Sequence, residues 1–550
     1  MRIIKFLFFQ SWKLLFLGLG AGILGGVCGA GLATVIANAV TEGGAGLASP
    51  WAFLGLCVGA VIGRSSSAIA LIHLSQAATL HLRVDLSRKF LATPHLKIRA
   101  IGRAECLQIL TNDIMIFTQA FITIPVALSD AILILVCMGY MAWVSWQLFL
   151  MFAAVLAISV VAYHFAERLP RAKIRKIREQ ADVLFNNFRN LVEGSKELQL
   201  NAKRGTFFID EVIAPDARKF RKMYLNTMTG YTWLANMGAI MFYVVIGVLL
   251  FVVPSWVTFG APVLAQFTLI LLYLVGPITN LTTGLPLLAQ GGAALRKIQQ
   301  LDGSLSADDL LPTGADAFAS GEALKLELNQ VCHQYPGIAD GEQFMLGPID
   351  LSIEQGEILF VVGGNGSGKT TLAMLLLGFY PPEAGGISLN GVAVNAQNLL
   401  HYRSHFSAVF ADYFLFIDVM VDADEEVNAR ANSYLKKFSM DHKVQVADGK
   451  FNTMDLSTGQ RKRLALVSSY LEDRPVYLFD EWAADQDPVF KRLFYTELLP
   501  DLKARGKTVI IITHDDAYFS YADRVVRLED GRISEIVNVP PEQQSALHVA

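Results

Sequence analysis

FVVGGNGSGKTTL, from Phe360 to Leu372, runs an apolar strand into the spacing Gly363-x4-Gly368-Lys369-Thr370 and then into the helical pattern LAMLLLGF. Glycines in such a turn let successive backbone N–H groups point inward around phosphate oxygens, and the N-terminus of the following helix adds its dipole. The spacing assigns nucleotide contacts to Gly363, Gly364, Asn365, Gly366, Ser367, Gly368, Lys369, Thr370 and Thr371. Lys369 supplies a cation for the β- and γ-phosphates, and the Thr370 hydroxyl is suited to ligate Mg²⁺. Glycine turns between a strand and a helix are common, but the full spacing with Lys-Thr behind it is rarely accidental. An α/β P-loop domain with ATP and Mg²⁺ as cofactors is the expectation.

A second stretch, VYLFDEWAADQDP from Val476 to Pro488, places Asp480 and Glu481 directly after four apolar residues. Acids often mark the solvent-facing end of a strand. Beside a P-loop they acquire chemistry: Asp480 is placed to hold Mg²⁺, and Glu481 to accept a proton from water attacking the γ-phosphate. Phosphoryl transfer needs positioning and charge neutralisation more than covalent help.

The 550 residues exceed one compact domain, and their composition is uneven. Hydrophobic residues make up 53%, charged residues 17%, and the mean hydropathy is +0.41, more apolar than a soluble core requires. The net charge of −3 gives no basic footprint, so nucleic acid is not an expected partner. Five scattered cysteines without CxxC spacing read as buried thiols.

The apolar mass lies before about residue 290, and a polar stretch, Gln299–Ala323, separates it from the α/β part. The expected domains are a helical membrane domain over 1–290, a linker over 291–321 and a nucleotide domain over 322–550. Six spans of roughly 20 residues or more are expected in the lipid bilayer. They lie at Leu14–Val40, Trp51–Leu80, Phe117–Trp143, Ser145–Phe165, Tyr231–Val253 and Pro262–Leu285. The first is too long for a signal peptide. The short loops TEGGAGLASP, VS and PSWVTFGA hold no Lys or Arg, whereas Leu82–Asp113 and Glu167–Thr229 hold many. Both long segments and both termini are therefore expected in the cytoplasm. Gln180–Leu200 spaces Val183, Leu184, Phe188, Leu191, Val192 and Leu198 as an amphipathic helix, so the spans are expected to continue as helices beyond the bilayer.

Between the P-loop and Asp480 lies LSTGQRKRLAL, Leu456–Leu466, with Thr458 in one place of a usual Gly-Gly pair. Together with the P-loop, Asp480 and the histidine of IIITHD, His514, it resembles the signature of ABC transporter ATPases in order and interval. Tyr335 stands where that family stacks an aromatic on adenine, and Asp487 matches its D-loop aspartate. The resemblance implies two nucleotide domains paired head to tail, each ATP held by one P-loop and the opposite signature. Ser457, Gly459 and Gln460 would then face the nucleotide on the partner's Lys369. One nucleotide domain after six spans is half of a working unit, which implies a homodimer of type IV ABC exporter architecture unless a different chain is the partner. GGNGSGK, FSAVFADYFLF, DEWAADQDP and VEGSKELQLN resemble the cyclic-peptide and siderophore-peptide exporters of Gram-negative bacteria, among them microcin, pyoverdine-precursor and syringomycin-type transporters. ATP-driven export of a peptide-like product across the inner membrane is implied. A lipid or multidrug exporter, or a membrane-anchored regulatory ATPase, is the alternative.

Two departures from general ABC exporters matter. Ala411 replaces the glutamine expected after AVF, so its duty toward Mg²⁺ is vacant or passes to Asp412 or to water. Only about forty residues separate FLF from LSTGQ, so a shortened helical subdomain is expected. The first span starts almost at once, so no leader-cleaving peptidase is expected before it. Within the spans, Arg64 and Asp130 fall at matching depth on antiparallel helices, given a rise of about 1.5 Å per residue. Charges at that depth face the bundle interior or a watery cavity. They are expected either to pair across the substrate chamber or to face a hydrated cavity separately.

Overall fold

The computed structural model describes residues 2–41, 50–252, 260–305, 315–318, 323–334, 344–419 and 424–540. The chain forms two compact units, one from residues 1–86 with 104–304 and one from 87–103 with 305–550.

The first unit is helical. Its long helices are α1 (Arg2–Thr41), α2 (Pro50–Ala92), α3 (Ile114–Val144), α4 (Trp146–Glu193), α5 (Ala214–Gly247) and α6 (Ala261–Ser304). Among the described residues, four stretches are long and apolar enough to cross a membrane: Trp12–Val40, Pro50–Ala92, Glu105–Val144 and Pro262–Leu281. Shorter apolar stretches, Trp146–Ile158 and Tyr243–Val252, stand where the fourth and fifth spans are expected. Helices of 43, 48 and 44 residues (α2, α4 and α6) reach about 65–72 Å at 1.5 Å per residue, roughly twice the hydrocarbon thickness. The α6 helix runs to Ser304, so the first part of the expected linker is helix. Along the expected amphipathic segment Leu184, Leu191 and Leu198 are half-buried, whereas Val183, Phe188 and Val192 are exposed.

Arg64 and Asp130 meet. The guanidinium lies 3.3 Å from Asp130 Oδ1, and Asn280 donates to Oδ2 at 3.0 Å. The Asp130 side chain is 3% exposed and that of Arg64 46%. Glycines on α1 make the approach possible. A Cβ at Gly25 would lie 2.8 Å from the backbone of Arg64 on α2, and one at Gly26 2.8 Å from the Ser129 carbonyl on α3. Small residues at such crossings let helix backbones come close.

The second unit is α/β. A six-stranded sheet has the order β12-β11-β3-β10-β9-β6, parallel except for β12. Its strands are β3 (Ile358–Gly363), β6 (Phe406–Val409), β9 (Val476–Asp480), β10 (Thr508–Ile512), β11 (Arg524–Glu529) and β12 (Arg532–Asn538). A four-stranded antiparallel sheet, β2-β1-β4-β5, is built from β1 (Lys325–Gln334), β2 (Met345–Glu354), β4 (Ala384–Leu389) and β5 (Val392–Ala393). The small pair β7 (Val446–Ala447) and β8 (Lys450–Phe451) completes the strands.

β9 and β10 are buried along their whole length, as continuous apolar runs in a parallel sheet require. Alternate residues feed two cores. Phe360, Phe479 and Ile511 point to one, Val361, Leu478 and Ile512 to the other. The carboxyl ends of β3, β9 and β10 thus lie side by side, where open parallel sheets bind ligands.

Residues 87–103 belong to this unit. Within them the short helix His95–Ile101 brings Leu96 against one of its cores and the His95 ring edge-on to Phe379 at 6.2 Å. Phe379 in turn meets Phe410, again at 6.2 Å, one residue before Ala411.

Candidate functional site

β3 ends in the glycine turn, and α7 (Lys369–Leu376) follows it. Two glycines are sterically required. At Gly363 a Cβ would lie 2.2 Å from the Leu528 carbonyl, and Gly368, at φ +101°, would drive a Cβ to 2.7 Å from Leu346. Lys369 is buried and donates from Nζ to the Gly363 and Gly364 carbonyls at 3.0 and 2.9 Å, which holds the ammonium inside the turn. Gly364, Asn365, Gly366 and Thr370 are exposed, and Thr371 half-buried, so the Thr370 hydroxyl is accessible.

Asp480 closes β9 and is 2% exposed. Burial pushes its carboxyl up to about 6, with Glu481 and Asp412 adding to the rise while Lys369 and Lys462 oppose it. Asp480 Oδ1 and Ser367 Oγ are buried without a hydrogen-bond partner. A buried carboxylate among other acids, with one oxygen open, fits a divalent cation. Among the described residues no group of three or more His, Cys, Asp or Glu could hold a metal. Mg²⁺ would accordingly be held by Asp480, the Thr370 hydroxyl, water and phosphate, a donor set this hard cation accepts.

Glu481 follows at φ +47°, with its N–H donating to the Ile512 carbonyl at 3.0 Å. His514, just past β10, brings Nε2 to 3.3 Å from Glu481 Oε1. Both side chains are open to solvent. The structure therefore brings Lys369, Asp480, Glu481 and His514 to one sheet edge. Asp412 is exposed and close enough to raise Asp480, although the sequence placed it only by elimination.

The signature residues open α9 (Thr458–Glu472), after α8 (Glu425–Lys437). Ser457 caps α9: its Oγ accepts from the Gln460 N–H at 3.4 Å, and Gln460 Oε1 accepts from the Ser457 N–H at 3.3 Å. Such a reciprocal cap contributes about 1 kcal/mol, so both residues have a local task besides the expected nucleotide contact. Gly459 approaches the Asp485 carbonyl so closely that a Cβ would lie 2.7 Å from it. Asp487 caps the next helix through the Phe490 N–H at 2.9 Å. That bond, then the paired Arg463, holds its carboxyl below the usual range. Tyr335 lies outside the described residues. Two residues not singled out in the sequence join the site: Tyr413, whose hydroxyl donates to the Thr458 carbonyl at 3.2 Å, and Lys462. The only hint of Lys462 was its place in the basic run RKR.

The family model described as ABC transporter matches residues 346–484. The ATP-binding protein SyrD of Pseudomonas syringae pv. syringae is 36% identical over 546 residues, covering 97% of this chain and 96% of that protein. An ATP-dependent lipid A-core flippase of Methylobacillus flagellatus is 25% identical over 506 residues, 88% of this chain and 83% of its own. The flippase of the same name from Thiobacillus denitrificans is 25% identical over 503 residues, covering 88% and 85%.

Proposed function

The chain belongs to the ABC transporter family, and from that premise we propose that it exports a peptide-like natural product across the bacterial inner membrane. ATP hydrolysis coupled to transport is its activity. The observation that carries the peptide reading is the whole-length similarity to SyrD, at 36% against 25% for the lipid A-core flippases, together with the peptide-exporter motifs such as DEWAADQDP. The flippases favour a second reading, a lipid substrate.

In this reading six spans cross the membrane with both termini in the cytoplasm, which the Lys and Arg distribution supports. The working unit is a homodimer. Apolar side chains exposed along α4, among them Phe185, Phe188 and Val192, offer surface for a second copy to cover. Glu481 accepts the proton of the attacking water, Lys369 binds the β- and γ-phosphates, and His514 holds Glu481 in place. Mg²⁺ supplies charge neutralisation at the phosphates. Residues 322–550 form the nucleotide domain, with residues 87–103 in the same compact unit, and the rest of 1–290 forms the body of the membrane domain.

In nanodiscs, ATPase activity is expected to rise with cyclic or modified peptides and to stay level across a panel of lipid A-type lipids. Stimulation by the lipids alone would replace the peptide reading with the lipid one.

Asp412 takes part in coupling ATP to the membrane unit, because it flanks the missing glutamine and sits two residues from Phe410, which leads through Phe379 to His95. Asp412→Ala is expected to lower substrate stimulation and transport. If basal rate, stimulation and transport all equal those of the unaltered protein, Asp412 has no such role.

A further inference from the structure

Lys462, in the second turn of α9, is 2% exposed. A lysine that deeply buried must be paired. Its ammonium lies 2.8 Å from Asp485 Oδ2 and donates to the main-chain carbonyl of Glu481 at 3.2 Å. The bond is reciprocated: the buried indole N–H of Trp482 donates to the Lys462 carbonyl at 3.0 Å. Gln486 adds a fourth tie, donating from Nε2 to the Gly459 carbonyl at 3.0 Å. The helix that displays Ser457 and Gly459 is thereby fastened to residues 481–486, which begin with the proton acceptor.

The fastening falls on a peptide that needs it. Glu481 occupies φ +47°, a region that residues with a side chain seldom adopt without outside support. The Glu481 N–H is held by the Ile512 carbonyl, and the Glu481 C=O accepts from Lys462 at 3.2 Å and from the Ala484 N–H at 3.3 Å, so the backbone on both sides of this Cα is pinned, with Lys462 the side chain that does part of it. The direction in which the carboxylate leaves the chain follows from those three bonds, of which Lys462 supplies the one that ties it to the signature helix.

We infer that Lys462 is a positioning residue for hydrolysis, one that sets the aim of the Glu481 carboxylate from the signature helix of the same chain. The consequence rests on the head-to-tail dimer of the proposed function. There the signature helix contacts the partner's nucleotide while Glu481 serves its own. Lys462 then makes occupancy of one ATP site felt at the base of the other.

The test uses the full-length protein in nanodiscs. Methionine at 462 keeps the volume and removes the donor, whereas arginine keeps the charge. Lys462→Met is expected to lower kcat about tenfold, less than the loss of the general base itself, with the KM for ATP unchanged. Lys462→Arg is expected to restore most of kcat. A role in packing alone would predict rescue failing and the thermal midpoint falling with kcat. Should Lys462→Met not fold, Asp485→Asn is the second variant, because it leaves the lysine in place and loosens it by removing a half-exposed partner. It is expected to lower kcat less, again at constant KM.

Unchanged kcat in the folded variants, or KM rising as kcat falls, overturns the inference. ATP-dependent crosslinking of Ser457→Cys on one copy to Asn365→Cys on another, scored against protein without the added cysteines, reads the dimer separately. If that crosslink never forms, the link between sites falls and the positioning role is judged on kcat alone. If it forms while Lys462→Met turns over normally, the positioning role fails and the dimer stands.

Discussion

ATP turnover by Glu481→Gln falls about a hundred- to ten-thousandfold, the usual contribution of a general base, while nucleotide affinity holds. Glutamine keeps the size of the side chain but takes up no proton at neutral pH. The nucleotide and metal groups are untouched, although the contact with His514 loses its charge. Lys369 remains inside its turn, and Asp480 still offers the open oxygen that fits Mg²⁺. ATP should therefore bind and persist, and the closed dimer should accumulate with nucleotide trapped between its two ATPase units. Retention of labelled ATP through gel filtration, beside a steady-state assay, measures both halves of the prediction. Near-normal hydrolysis by the mutant would remove Glu481 from the role of base.

The second large effect lies in the membrane unit. Arg64→Ala is expected to damage folding and transport more than the double mutant Arg64→Ala/Asp130→Ala. The single change strands a carboxylate that is 3% exposed, with Asn280 as its remaining hydrogen-bond partner among the described residues. Removing one member of a fully buried pair typically costs about 3–5 kcal/mol, and with Arg64 46% exposed the cost here lies below that range, because only the Asp130 charge is left buried and unpaired. Removing both eliminates that charge. Thermal unfolding in detergent, with transport assayed in vesicles, compares the two. A double mutant less stable than Arg64→Ala would show that Asp130 is not stranded by the loss of Arg64 and would overturn the pairing argument.

Much of the ATP site was legible because its motifs encode local backbone geometry. A glycine spacing between strand and helix has few three-dimensional solutions, and the one adopted pins Gly363 and Gly368 where no side chain fits. Asp480 and Glu481 were legible from the four apolar residues before them, and the parallel sheet then aligns the carboxyl ends of β3, β9 and β10. Even the Arg64–Asp130 pair could be foreseen, since the rise of a helix is constant and depth can be counted. That the helices run on beyond the bilayer was legible from the apolar spacing of Gln180–Leu200, not from hydropathy. Hydropathy marks where an apolar run stops, but α4 continues as one helix from its short apolar stretch through a charged segment to Glu193.

The sequence by itself determined the P-loop fold, the carboxylates after β9 and the division into an apolar and an α/β part. Each of these depends on residues adjacent along the chain or on a fixed repeat. Only the tertiary structure decided that the approach of Arg64 to Asp130 rests on the glycines of α1, that His95 belongs with Phe379, and that Lys462 is buried against Glu481 and Asp485. In the sequence nothing local says which way the helix carrying RKR will turn. That rotation is set by the whole core, where Leu464, Leu466 and Val467 must pack beneath the sheet, and it carries Lys462 inward with them.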